Sequence, residues 1–238
     1  APSEMCIRDR LTEDAFKQRV QDLREREFFR QDLVAHLLEY NTKLQAGEAT
    51  IQNVKALGDE DTYVVIAGQQ AGLLTGPLYT IHKIISVLQL AKEKEESLGV
   101  KVVPVFWIAG EDHDMDEINH TFVTKNKKIK KTIFHDRNPK KASASESELS
   151  LEDCRKWIEE IFKTYPETNF TKDVLQFIDD SLGESNTYVD FFGHLIMKMF
   201  INSGLILVDS HHPELRKLEV PFFKQIISKY KDCLLYTS

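Results

Sequence analysis

The stretch Thr62–Ile108 constrains the fold more than any other part of this chain. A β-branched apolar run, Thr62-Tyr-Val-Val-Ile-Ala67, ends in Gly68 and reads as a buried strand. A glycine-punctuated loop, Gly68–Pro77, then feeds the helical stretch Leu78–Leu98, with apolar residues at Ile81, Ile84, Ile85, Leu88 and Leu90. A second apolar run, Val100–Ile108, follows directly. Strand, helix and strand joined by short connections make a βαβ unit, whose crossover forces the strands parallel. The expected class is therefore α/β. Parallel sheets bind ligands beyond the carboxyl ends of their strands, so the loops after Ala67 and Ile108 are where chemistry is expected.

The remaining segments are consistent with such a sheet. From Thr12 to Gln45 apolar residues at helical spacing (Phe16, Val20, Leu23, Phe29, Leu33, Leu37) predict one long helix or two, with Thr12 and Asp14 as candidate caps. Lys125–Phe134 reads as a hairpin or a single polar strand, and Asn138–Ser150 as a polar, serine-rich connector. Ser150 is placed to open an amphipathic helix carrying Trp157, Ile158, Ile161 and Phe162, with Asp153 completing a capping box. Further helices are expected over about Thr171–Asp180 and Thr187–Ser203, the latter stopped by Gly204. Leu205–Val208 reads as a third core strand, and Pro213–Tyr230 as a helix interrupted at Pro221. All three strands are expected in one parallel sheet with their loops on a single edge.

Composition excludes several functions. Among 238 residues 42% are hydrophobic, enough to bury a substantial core. A net charge of -7 opposes nucleic acid and anionic membrane surfaces, and no apolar run approaches the roughly 18 residues that span a bilayer. The expectation is a cytoplasmic protein with small-molecule partners, binding neither nucleic acid nor membrane. Three cysteines with no CxxC pair make no disulfide framework, and Cys154 reads as an ordinary packed residue. Residues 1–10 (APSEMCIRDR) and 233–238 (CLLYTS) look like translated sequencing adapter and read as a non-native leader and tail. Between them we expect an N-terminal helical segment over 11–61 and a core over 62–232, with a helical insertion around 150–185.

Three loops could carry chemistry. In Gly68-Gln-Gln-Ala-Gly-Leu-Leu-Thr-Gly-Pro77 the glycines stand four apart, which matches neither GxGxxG nor GxxxxGK[ST]. Glycines ahead of a helix N-terminus nonetheless suit an anion or nucleotide, with Gln69, Gln70 and Thr75 as neutral donors; the alternative is a tight turn of purely structural use. His82 and Lys83 enter the cleft or lie on the helix surface. The second loop, Gly110-Glu-Asp-His-Asp-Met-Asp-Glu-Ile-Asn-His120, gathers five carboxylates and two histidines. Such a loop can hold an ammonium group or a divalent ion, act with His113 as a base, or be a solvated acidic helix start. Calcium is rejected, because Glu117 stands where a calcium loop needs glycine and Val123 where it needs a bidentate glutamate. The turn Asp209-Ser-His-His212 shares the same topological address, and we single out His211 there.

Two blocks, Val65–Lys83 (VIAGQQAGLLTGPLYTIHK) and Pro104–His120 (PVFWIAGEDHDMDEINH), resemble the signatures of the bacillithiol biosynthesis cysteine-adding enzyme family, BshC. Weaker likeness extends through Arg30–Asn41, Leu151–Phe162, Thr187–Phe200 and Gly204–Phe223. The resemblance implies an incomplete Rossmann-like sheet with flanking helices, in a chain about half as long as the family's members. It also implies a ligase joining cysteine to the amine of glucosaminyl-malate in the last step of bacillithiol synthesis. Full-length members would dimerise through a C-terminal coiled coil that this sequence lacks, leaving the fragment inactive alone. Amide formation requires carboxylate activation, for which ATP is the natural cosubstrate; no metal is assigned. We expect Asp112, His113 and Asp114 to be catalytic. For substrate or nucleotide we expect Gly68, Gln69, Gln70, Gly72, Thr75, Gly76, Tyr79, His82, Lys83, Glu111 and His211. A metal-dependent hydrolase liganded by Asp112, His113 and Asp114, and a non-catalytic binding module, are the alternatives. A truncated core should leave apolar surface exposed, with Thr187–Phe200 the candidate face.

Overall fold

The computed structural model describes residues 12–125, 127–135 and 142–234, with side chains through residue 228. The leader and residues 235–238 of the tail lie outside the described residues. The N-terminal periodicity resolves into two helices, α1 (Glu13–Arg24) and α2 (Arg30–Lys43), followed by α3 (Glu48–Ala56). Thr12 caps α1 by accepting from the Ala15 N–H, whereas Asp14 sits in the first turn.

The βαβ unit forms as expected. Strand β1 (Thr62–Gln69) leads through a 3-10 turn at Leu73–Thr75 into α4 (Tyr79–Leu98), and β2 (Lys101–Ile108) returns parallel to β1. After a short helix α5 (Met115–Ile118) comes an antiparallel hairpin of β3 (His120–Lys125) and β4 (Lys128–Ile133), which begins earlier than the lysine run suggests. Helices α6 (Leu151–Phe162), α7 (Thr171–Gly183) and α8 (Tyr188–Met199) precede β5 (Ile206–Asp209) and α9 (Pro213–Leu234). Strand β5 pairs parallel to β2, giving a three-stranded sheet in the order β1-β2-β5. Register places Gln69, Ile108 and Asp209 side by side at its carboxyl edge. All three motif loops therefore leave from one edge.

The alternation of β2 explains its two packed faces. Phe106 and Ile108 join Leu205, Leu207, Ile84 and the aromatic residues of α8 on one side. Val103 and Val105 join Ile206, Val208, Leu37, Val54 and Leu215 on the other. Strand β1 departs from the buried-strand expectation: Val64 and Ile66 are exposed. β1 and β5 are both edge strands, but this second cluster draws its side chains from α2, α3, β2, β5 and α9 and covers β5 without reaching those two residues of β1. Thr187–Phe200 departs in the opposite sense. Every residue of α8 from Tyr188 to Met197 is buried, so its surplus of apolar residues belongs to a central helix rather than to an uncovered face. Exposed apolar residues are spread over several other elements, among them Phe122 and Ile129 of the hairpin, Phe170 before α7, and Val220, Phe222, Phe223, Ile226 and Ile227 of α9; within α8 only Met199, past the buried run, is exposed.

Two local expectations also change. The Ser150 hydroxyl makes no cap bond to the backbone of α6 and donates instead to the Asp153 carboxylate at 3.0 Å. α9 continues through Pro221, which removes one backbone donor but does not stop a helix whose residues there are exposed to water.

The far edge of β5 is closed by side chains rather than by a strand. Asn41 donates to Leu207 O (3.0 Å) and accepts from Leu207 N (3.0 Å), imitating a neighbouring strand, while Thr50 and Asn53 donate to Leu205 O and Gly204 O. Asn41→Ala should leave both Leu207 groups unpaired in the interior and cost about 2–6 kcal/mol, at 1–3 kcal/mol per buried orphan. Chemical denaturation checks this, and a loss below about 1 kcal/mol would contradict it.

Candidate functional site

Gly68–Pro77 owes part of its glycine spacing to backbone packing. A Cβ on Gly72 would lie 2.7 Å from Gly76 Cα, and Gly76 itself has φ +68°, so this pair closes the turn on itself. Leu74 (φ 53°) and Thr75 (φ 75°) also occupy the left-handed region, a strained conformation for non-glycine residues that places the two glutamines and the start of α4 close together.

The glutamines then connect the loops. Gln69 Nε2 donates to Tyr79 Oη (3.0 Å) and to Gln70 Oε1 (2.9 Å), and Gln69 Oε1 accepts from Lys83 Nζ at 2.9 Å. Lys83 Nζ also reaches Gly68 O at 3.3 Å. Gln70 Nε2 crosses to the acidic loop, donating to Asp112 Oδ2 at 3.0 Å and to the Glu117 carboxylate. One continuous chain of hydrogen bonds thus runs from an ammonium, Lys83, to two carboxylates, Asp112 and Glu117. A cleft of about 630 Å³ opens beside it, lined by Gln69, Gln70, Gly76, Tyr79, Glu117 and Phe122 among others.

Asp112 is held ionised. The Asp114 N–H first (2.9 Å), then Gln70, keep its carboxyl below the ordinary carboxylate range, with His113 assisting. An anion of this kind accepts hydrogen bonds and pairs with cations; it does not donate a proton near neutrality. Asp114 caps α5 by accepting from the Asp116 N–H. At the third loop, Asp209 is buried, and burial raises its carboxyl above the ordinary range against the opposing bonds from the His211 N–H and the Ser145 hydroxyl.

The expected residues thus divide. Gln69, Gln70, Tyr79, Lys83 and Asp112 are joined in one network, and Gly68, Gly72 and Gly76 shape the loop beneath it. His82, His113 and Asp114 are exposed outside the hydrogen-bond chain, and Thr75 is half-buried. Glu111 accepts from the Ser210 hydroxyl, away from the glutamines, and His211 lies 3.7 Å from Glu146. His212 packs on α2 between His36 and Tyr40. Among the described residues no three His, Cys, Asp or Glu side chains are gathered to hold a metal, so Asp112, His113 and Asp114 do not form the ligand set a hydrolase would need. Cys154 is packed in the core, its thiol pushed up to about 12 by burial, which leaves it inert. Sequence reasoning missed Glu117, used there only to reject calcium, together with Asp209 and Ser145. The address of Asp209 at the end of β5 was a usable signal for it; nothing local marks Ser145.

A three-stranded parallel sheet whose carboxyl edge converges a polar loop, an acidic loop and a helix N-terminus defines a Rossmann-like α/β domain. Residues 6–234 match the family described as bacillithiol biosynthesis BshC, N-terminal Rossmann-like domain, and the chain belongs to that family. It is 97% identical over 229 residues to a Bacillus cereus protein named "Putative cysteine ligase BshC", 95% identical to the protein of that name from a second B. cereus strain and 94% to that from Bacillus anthracis. Each alignment covers 96% of this chain and 43% of the relative, so the chain spans less than half the length of the curated relatives it matches. Among the described residues no helix is long and apolar enough to cross a membrane.

Proposed function

We propose that the full-length protein is a cytoplasmic ligase that joins the carboxyl group of cysteine to the amine of glucosaminyl-malate, with ATP activating the carboxylate, and that it works as a homodimer through helices beyond this chain. This fragment alone is inactive on that reading. The observation that carries it is the Gln70 bridge, which gathers Asp112 and Glu117 at the edge where Lys83 also stands. Two anionic side chains opposite a cation match an amino acid or amino sugar that brings both an ammonium and a carboxylate. α4 begins without a side-chain cap, but the Thr80 and Ile81 N–H groups already donate to Pro77 O and Leu78 O, so it is the ammonium of Lys83 that suits a phosphate or carboxylate. ATP when bound would supply the leaving group that turns carboxylate into an acyl donor. The attacking amine must first lose a proton, and His113, exposed beside Asp112, is the base we assign. Asp112 and Glu117 hold that amine.

Incubating a full-length relative with cysteine and glucosaminyl-malate, with and without ATP, and weighing the thiol product by mass spectrometry tests the reading. Amide formed only with ATP is the expected result. Amide formed without ATP would overturn the activation route, and no amide in either mixture would leave a binding module.

A further inference from the structure

We propose that Ser145 and Asp209 form a strap that positions the acidic loop, making both residues positioning residues for the reaction at Asp112; the inference rests on the functional reading above and deepens it. The serine-rich connector carries no motif, yet its turn at 143–147 is fastened to the site by three groups. Ala144 N donates to Asp112 O (2.8 Å) and Ser145 N to Gly110 O (3.1 Å), so the connector runs along the backbone of the acidic loop. The Ser145 hydroxyl contacts both oxygens of the Asp209 carboxylate, at 2.7 and 2.8 Å, across 64 residues of sequence. Ser210, next in the chain, accepts from Gly110 N (3.0 Å) and donates to Glu111.

Gly110 shows how tight this junction is. A Cβ there would stand 2.1 Å from both Asp209 Oδ1 and Ser145 Oγ, so no side chain fits between strap and loop. Asp209 is buried and also accepts from the His211 N–H at 3.0 Å, so it is placed to hold the serine rather than to meet substrate. The chemistry of the strap is thus mechanical: it fixes the carbonyls of Gly110 and Asp112, and through them the direction in which the Asp112 carboxylate meets Gln70. Loops that must place a charged group within about half an ångström rely on such outer support.

The test uses Ser145→Ala, Ser145→Thr and Gly110→Ala in a full-length relative carrying these residues, read by hydrogen exchange and by kinetics. In Ser145→Ala and Gly110→Ala the amides of Glu111–Asp114 should exchange about tenfold faster while β2 and α8 keep their protection. kcat for cysteine addition should fall about tenfold or more with KM within about threefold, as expected when ground-state binding survives but alignment does not. Ser145→Thr, which keeps the hydroxyl, should recover most of both. Unchanged exchange in the acidic loop, or loss of protection throughout the domain that threonine does not rescue, would overturn the strap. Should the unsubstituted protein form no amide, the ligase reading fails by itself and the exchange data alone decide on the strap.

Discussion

Replacing Asp112 with alanine in a full-length relative lowers the rate of cysteine addition by about 10²–10⁴-fold, the range lost with a positioned charged or acid-base group. The thermal midpoint stays within about 2 °C, because a loop substitution of this kind changes stability by roughly half a kcal/mol. The side chain is only partly buried, and its partners are Gln70 and the Asp114 N–H rather than the core. Its lowered pKa fixes the sign with pH: any stability it contributes is present above its unfolded value and is lost as pH falls through the still lower folded value. Asp112 therefore stays anionic across the neutral range and sets no limb of the activity profile there. His113→Ala should lose activity in the same direction. Steady-state kinetics with differential scanning calorimetry checks both, and a large fall in midpoint with activity retained would show these residues to be structural.

Phe106→Ala acts on the other quantity. Phe106 is fully buried at the centre of β2, level with Ala67 and Leu207 in the neighbouring strands, and stacks on Phe192 of α8 with ring centroids 6.3 Å apart. Deleting the ring leaves a cavity between sheet and helix that neither can close, at a cost of about 3–5 kcal/mol. The thermal midpoint should fall by roughly 6–20 °C, at 2–4 °C per kcal/mol for a chain of this size. Turnover per folded molecule well below that midpoint should remain near the unsubstituted value. A cost under about 1.5 kcal/mol would mean that α8 does not pack on the sheet as described.

Much of this architecture was legible because the strands announce themselves. Thr62–Ala67, Val100–Ile108 and Leu205–Val208 are apolar runs too short for helices and punctuated by glycine, and the helix between the first two dictates parallel pairing. What sequence could not show is which edge strand is left uncovered. Val64 and Ile66 read like any core residues, and their exposure follows from β1 being the edge strand that the second core cluster leaves uncovered, whereas the edge strand β5 is buried. The same limit misplaced α8, whose apolar excess signals a helix packed on several sides but not whether its partners are within the chain. At the site, residue types and loop addresses gave Gln69, Gln70, Lys83 and Asp112 together, since all leave one sheet edge. Ser145 was illegible because its partner is 64 residues away and its own segment is polar without pattern.

The central claim is that the glutamine loop and the acidic loop form one ligand site, and hydrogen exchange of a full-length relative titrated with cysteine, glucosaminyl-malate and ATP tests it most directly. The account predicts that ligand slows exchange in segments 68–76 and 111–117 together, with the same concentration dependence for both. Protection confined to one of these loops, or found only elsewhere in the protein, would contradict it.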